Sequence, residues 1–303
     1  MALPGRIERT IVAMHGEAGR AWLDDLPRRV AAYARGWHLR MLEPFDNLSF
    51  NYAAPGTRID GTPVVLKIAF GGKEVGPEVA ALRLAGGEGM VRLQEDDPEG
   101  HAFLMERAVP GDMLTAVPDD DEATRIAAGV MTRLWRPVPA DHPFPTVVDW
   151  GRGFDRLRVR FGGGTGPLPA ALTARAERLF GELIATSAAP VVLHGDLHHF
   201  NILRADDRWL AIDPKGVVGE PAYEIGALLR NRLPPLEDPT AARAALLRRI
   251  AIVAEVTGLD ADRMRRWTVA QALLSAWWTI EDGGDVADAQ DVIRTAELLD
   301  AEL

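Results

Sequence analysis

The sequence predicts an α+β fold built as two lobes, a small β-rich N-terminal lobe and a larger, mainly helical C-terminal lobe. Three observations predict it. Between 41 and 107, apolar runs of strand length follow one another with a single helix-like stretch among them. From 119 onward, apolar residues recur at helical spacing over most of the chain. Val109-Pro110-Gly111-Asp112 lies between the two regimes and is a turn signal. The division therefore falls between 107 and 108, giving lobes 1–107 and 108–303, and a chain of 303 residues is long enough to bury a core in each.

Residues 5–39 read as a helical lead-in, with Ile7, Ile11, Met14, Trp22, Leu23, Leu26, Val30, Tyr33 and Leu39 at roughly helical spacing and Gly16 and Gly19 as points where it can break. Strands are expected at 41–44, 49–54 and 63–70, the last a buried apolar run carrying one lysine, Lys67. A helix over 76–84 follows, then strands at 90–93 and 102–107. The second lobe should hold helices over 119–134, 169–188, 222–232, 239–257, 260–281 and 286–299. Two short apolar runs, 191–194 and 209–212, sit beside turn residues and read as a buried hairpin. Gly162-Gly163-Gly164-Thr165-Gly166 is a loop but not a phosphate loop, because no strand precedes it and no Gly-Lys-Ser/Thr follows.

Composition removes several classes of function. Hydrophobic residues make up 47% and charged residues 26%, the balance of a folded globular chain. The net charge of −10 argues against nucleic acid or an anionic membrane as partner and is compatible with a cationic small molecule. No obligate protein partner is inferred. The absence of cysteine excludes disulfides, thiolate metal sites and cysteine nucleophiles. The N-terminus lacks a signal-peptide pattern and no stretch approaches the ~20 apolar residues of a membrane span, so the expected location is the cytoplasm. Only three of the 34 basic residues are lysine: Lys67, Lys73 and Lys215. Where arginine is the default cation, a retained lysine points to a role that wants a compact ammonium.

The densest chemistry lies in 194–213. Asp196 follows an apolar strand and so sits on a loop at that strand's end. Asn201 comes five residues later, and Asp213 follows the strand-like Trp209-Leu210-Ala211-Ile212. Asn and Asp supply the hard oxygens that suit magnesium held jointly with phosphates. Phosphoryl transfer needs such a set: a carboxylate near the attacking hydroxyl, oxygen ligands for the metal, and a cation on the nucleotide.

His194-Gly195-Asp196-Leu197-His198-His199-Phe200-Asn201 resembles the His-x-Asp-x-x-x-x-Asn catalytic loop of the protein-kinase-like fold, as found in aminoglycoside phosphotransferases and choline kinases. The resemblance extends through Ala21-Trp22-Leu23-Asp24-Asp25-Leu26-Pro27, Gly61-Thr62-Pro63-Val64-Val65-Leu66-Lys67, Leu104-Met105-Glu106-Arg107, Asp213-Pro214-Lys215-Gly216 and Ala276-Trp277-Trp278-Thr279-Ile280-Glu281-Asp282-Gly283. These stretches are similar to the streptomycin 6-kinase/hydroxyurea phosphotransferase branch and span nearly the whole chain.

The resemblance implies an ATP- and Mg2+-dependent phosphotransferase that moves the γ-phosphate of ATP to a hydroxyl of a small cationic molecule, an aminoglycoside of the streptomycin type. It implies Asp196 as catalytic base or hydroxyl orienter, and Asn201 and Asp213 as magnesium ligands. Lys67 would contact the α- and β-phosphates, held by Glu78 or, because the interval is short, by Glu74. Glu106–Ala108 (Glu106 and Ala108 at its ends) would form the adenine hinge. Ser49 and Asn51 would serve where a glycine-rich loop normally covers the phosphates, since 46–51 contains no glycine. Lys215 either reaches the γ-phosphate or pairs with Glu220. Glu220, Glu224, Trp278, Glu281 and Asp282 are candidates for the acceptor pocket, because acids with aromatic faces suit a polycation. Asp149 and Trp150 form a second such cluster. A housekeeping kinase of a small amine, amino alcohol or sugar is the alternative. Two further readings are open: a His-rich metal-dependent hydrolase, which leaves Lys67 and Asn201 unused, and a binding-only pseudokinase, which ordinarily lacks one of the acidic groups present here.

Overall fold

The chain begins with a long helix, α1 (Gly5–Gly36), bent at Gly16, whose φ of 56° and ψ of −129° suit glycine alone. The computed structural model describes residue 3 and residues 5–48, 50–71, 75–231 and 238–301. Ile7, Ile11, Leu26 and Val30 of α1 are buried on one side, against a sheet.

That sheet has five antiparallel strands in the order β1 (Leu39–Met41), β2 (Asn51–Arg58), β3 (Pro63–Ala69), β5 (Ala102–Glu106) and β4 (Leu93–Asp97). The helix α2 (Val75–Ala85) connects β3 to β4. Strand alternation decides where Lys67 points. Val64, Leu66 and Ile68 join the core under α1. Val65 and Ala69 join the core that contains Val75, Val79 and Leu82 of α2. Because helices cover both faces, β3 is apolar throughout, and Lys67 shares the parity that faces α2. The strand expected at 90–93 lies later, at β4. Its polar residues Gln94, Glu95, Asp96 and Asp97 are tolerated because β4 is an edge strand, half-buried along its length.

The second lobe runs β6 (Pro110–Met113), α3 (Asp120–Leu134), β7 (Arg136–Pro137), α4 (Val147–Arg160), α5 (Ala170–Ala185), β8 (Val191–Leu193), β9 (Ile202–Ala205), β10 (Arg208–Ala211), β11 (Val217–Gly219), α6 (Ile225–Arg230), α7 (Pro239–Thr257), α8 (Ala261–Glu281) and α9 (Gln290–Asp300). The centre of this lobe is α8, which packs against α4, α5, α6, α7 and α9 and buries Trp267 and Trp277. No helix among the described residues is long and apolar enough to cross a membrane.

Two expectations are corrected here. The runs at 191–194 and 209–212 are not a hairpin. β10 pairs with β9 across the Asp206-Asp207 turn, and β8 pairs with β11 and β7 in a separate three-stranded sheet. The loop after β8 leads into β9, which supplies β10 with a nearer partner. The helix α4 was not foreseen, because Gly151 and Gly153 weaken its helical pattern. Both glycines serve close packing: a Cβ at Gly151 would meet Phe180 at 2.3 Å, and one at Gly153 would meet Leu274 at 2.6 Å. A capping box between Thr146 and Asp149 starts the helix regardless.

Candidate functional site

Lys67 is only 6% exposed, and its ammonium lies 2.6 Å from Glu78 Oε1 and 3.2 Å from Asp213 Oδ1. The short interval between Lys67 and Glu78 is sufficient because α2 starts at Val75, which puts Glu78 in the first turn of the helix. Glu74, the competing partner, and Ser49 lie outside the described residues. Burial opposes the charge on Lys67, but Asp213 and Glu78 outweigh it and hold its pKa above that of an ordinary lysine. Asp213 itself lies just after β10, with a φ of 56° that is uncommon outside glycine. The contact therefore joins the first lobe's central strand to the second lobe.

His194 follows β8 and is buried. Its Nε2 lies 2.8 Å from the Ile212 carbonyl, and its Nδ1 accepts from the Asp196 N–H at 3.2 Å. Burial pushes the imidazole pKa down to about 4, so the neutral ring ties the loop to the segment leading into Asp213. With both nitrogens committed, His194 has none to offer the hydrolase reading. Gly195 has a φ of 84°, and a Cβ there would stand 2.7 Å from the Trp150 ring and 3.0 Å from Val217. Both facts require glycine.

Asp196 meets two cation-forming side chains. Arg230 Nη2 lies 3.1 Å and Nη1 3.5 Å from Oδ1, and His198 Nε2 lies 3.6 Å from Oδ2. Burial would raise its pKa, but His198 and Arg230 outweigh that and hold it well below the usual carboxylate range. Asn201 is carried back by a single 3-10 turn, and its Nδ2 donates to the Asp196 carbonyl at 3.0 Å. The Ile212 N–H in turn donates to the Asn201 carbonyl at 2.9 Å. One side-chain-to-backbone and one backbone hydrogen bond thus tie Asp196 and Asn201 to the segment leading into Asp213.

The donor set fits magnesium. With its amide nitrogen engaged by Asp196, Asn201 has its Oδ1 left as a ligand oxygen. Asp213 gives one oxygen to Lys67, and its side chain is 46% exposed. Among the described residues no group of three His, Asp or Glu side chains forms a metal cage. Two hard oxygens are what a magnesium ion shared with nucleotide phosphates needs from protein.

Other expected residues are placed as follows. Asn51 opens β2 opposite Ala69, at the end of β3 beyond Lys67. Glu106 ends β5 and is tied to Arg92 by its own N–H and by Oε2, while Ala108 is buried just beyond it. The backbone N–H of Lys215 donates to the His194 carbonyl, and the side chain is exposed. Glu220 and Glu224 do not open onto an acceptor pocket. Glu220 follows Gly219, which pairs with Val191 at the end of β8 away from Asp196. Its carboxylate is taken up by Arg263, the Trp267 indole N–H and the Ala188 N–H. Glu224 is 1% exposed and accepts from the N–H groups of His194 (2.7 Å) and Gly195 (2.9 Å), so it anchors the loop from beneath. Glu281 is held by Arg156 in a bidentate pair, and Asp282 caps α8. Trp278 stands edge-on to Trp150 at 5.6 Å, and Trp150 packs on Gly195. Those two rings stand beside the loop at Gly195. Arg230 was missed; its signal is a lone cation ending an otherwise apolar run, Ile225-Gly226-Ala227-Leu228-Leu229.

The chain matches the family model for aminoglycoside/hydroxyurea antibiotic resistance kinases over residues 41–283. It is 35% identical to the streptomycin 6-kinase of Streptomyces griseus over 295 residues, which covers 94% of this chain and 92% of that protein. It is 31% identical to the hydroxyurea phosphotransferase of Kitasatospora aureofaciens over 308 residues, covering 98% and 85%. Among solved structures it is similar to a thermostable mutant of aminoglycoside phosphotransferase APH(4)-Ia in ternary complex with ADP and hygromycin B, with a TM-score of 0.64, 15% identity, and coverage of 90% of this chain and 98% of that one. That likeness establishes the bilobal, protein-kinase-like α+β fold.

Proposed function

The chain belongs to the aminoglycoside/hydroxyurea antibiotic resistance kinase family, and from that premise we propose that it transfers the γ-phosphate of ATP to a hydroxyl of a streptomycin-type aminoglycoside. The observation that carries the proposal is the joining of Lys67, Glu78 and Asp213 across the lobes, beside a loop that fixes Asp196 and Asn201. On this reading the lobes divide between 107 and 108, and ATP lies between them in the cytoplasm.

Glu78 holds the Lys67 ammonium where it meets the α- and β-phosphates. Glu106–Ala108 (residues 106–108) present hinge backbone to adenine, and Asn51 lies over the phosphates. Lys215 adds positive charge at the γ-phosphate. Asn201 and Asp213 would hold Mg2+, which neutralises charge on the phosphate oxygens when bound. Asp196 accepts a hydrogen bond from the acceptor hydroxyl and aims its oxygen at phosphorus. A new O–P bond forms, the bond to the β-phosphate oxygen breaks, and the hydroxyl proton leaves by way of Asp196. A carboxylate held so far below its usual range is a weak base, so its main contribution is orientation, as a loose transition state requires. Trp150 and Trp278 offer rings to a cationic acceptor, with Glu281 and Asp282 at the far end of α8. The product carries added negative charge and bulk, which would spoil a cationic drug's fit to ribosomal RNA.

A coupled ADP-release assay with ATP, Mg2+ and streptomycin tests this. Streptomycin should raise the rate well above the no-acceptor background, and Asp196→Ala should lower it by about 100- to 10,000-fold. No increase with streptomycin would refute the acceptor, and an unchanged rate in Asp196→Ala would refute the mechanism. Hydroxyurea is the second acceptor to try, because the relative named for it aligns over nearly the whole chain.

A further inference from the structure

Arg230 is the last residue of α6, a short helix whose preceding residues, Ile225 to Leu229, are all buried. The Asn231 side chain closes the helix by donating to the Ala227 carbonyl at 2.9 Å. The backbone that launches Arg230 is therefore fixed. Its side chain is 10% exposed, and its guanidinium reaches Asp196 Oδ1 through both Nη atoms. The Nε is buried and has no hydrogen-bond partner among the described residues. A guanidinium arranged only to satisfy itself would not leave that donor orphaned. Asp196 is the group that sets its orientation.

We infer that Arg230 is the positioning residue of the Asp196 carboxylate, holding Oδ1 so that Oδ2 is the oxygen presented to the acceptor hydroxyl. The inference rests on the reading of Asp196 as the catalytic carboxylate. Among the described residues Oδ2 has only the longer, 3.6 Å approach of His198, and the Asp196 side chain keeps 26% of its surface exposed. The planar fork of arginine fixes the carboxylate plane, which a lysine ammonium does not. It also offsets the charge of Asp196. A cationic acceptor is thereby kept from seating one of its own positive groups on the catalytic oxygens, where it would bind without reacting. Recognition of acceptor charge falls to other groups.

The test uses the full chain with Arg230→Gln and Arg230→Lys, ATP, Mg2+ and streptomycin. Arg230→Gln should lower kcat by about 100-fold, the effect of misplacing a reacting group by an ångström. The KM for ATP should stay unchanged and the KM for streptomycin should fall or stay level. Arg230→Lys should recover part of the rate. Guanidinium ion, added at millimolar concentration, should raise the rate of Arg230→Gln but not of the unsubstituted protein. A kcat within threefold of the unsubstituted protein, or a loss with raised KM values and no rescue by guanidinium, overturns the inference. An unfolding cycle over Asp196→Asn, Arg230→Gln and the double variant judges it without any acceptor, and additive effects would also overturn it. If the unsubstituted protein shows no streptomycin-dependent rate, the acceptor assignment fails, and this cycle still decides the inference.

Discussion

Replacing Glu224 by glutamine separates the loop anchor from the groups that act on substrate. The carboxylate uses both oxygens on neighbouring backbone N–H groups, His194 at 2.7 Å and Gly195 at 2.9 Å, in a position that is fully buried. Glutamine keeps the shape and one oxygen, but its NH2 then faces a backbone N–H. One buried donor loses its acceptor, at a cost of about 1–3 kcal/mol. Removing a charge that burial disfavours offsets that cost, so the substitution is read in catalysis rather than in Tm. Displacement of Gly195 also moves Asp196, and kcat should fall by about 10- to 100-fold. The KM for ATP should hold, because Lys67 and Glu78 make no bond to Glu224. ADP release at pH 8, where the carboxylate is ionised, reads the effect. A kcat unchanged from that of the unsubstituted protein would refute the anchoring role.

The remaining predictions concern pH, Lys67, Gly195 and Trp150. Burial, with a contribution from the charge of Asp196, raises the Glu224 pKa to about 7, against about 4.3 in an unfolded chain. The folded protein binds the extra proton between those values, so this group's stabilisation is complete below about pH 4.3 and is lost as pH rises through 7. Urea titrations across pH 4.5–8 should show a flatter slope in Glu224→Gln, and parallel curves would count against the assignment. Lys67→Met leaves Glu78 buried without its cation and should destabilise by about 3–5 kcal/mol, with ATP binding lost in a fluorescence titration. Glu78→Gln should be milder in both respects, because Lys67 keeps Asp213 as a partner. Gly195→Ala introduces both a strained φ and a contact at 2.7 Å with Trp150, and should reduce kcat more than it raises the KM for ATP. Trp150→Ala should raise the KM for streptomycin by about tenfold if the ring contributes some 1–2 kcal/mol to a cation, with the KM for ATP as internal control.

Local pattern determined a good deal of this molecule. Unbroken apolar character over 63–69 meant a strand covered on both faces, and Lys67 stood out in it as a charge that had to be matched. The spacing of Asp196, Asn201 and Asp213 pointed to the proposed chemistry, and the loop between the short strands brings those positions together. Gly16 marked a bend that no other residue makes without strain, whereas Gly19, the other expected break, stays helical and lies close against Ile11. Partner choice was decided only by the tertiary structure. Whether 191–193 pairs with 208–211 or with 217–219 depends on how the intervening loop returns, and periodicity carries no record of it. The α4 helix was hidden because its glycines are explained by Phe180 and Leu274, residues distant in sequence. Glu220 and Glu224 have the same charge and lie four residues apart, yet one is tied to Arg263 and the other to the loop beneath Asp196. Arg230 lies 34 residues from Asp196 and reaches it only because α6 folds back against the loop. Sequence specifies periodicity, turns and the candidate reacting groups because these are properties of a few neighbouring residues. It leaves open which buried charge meets which, because that is set by long-range packing that brings distant segments within 3 Å.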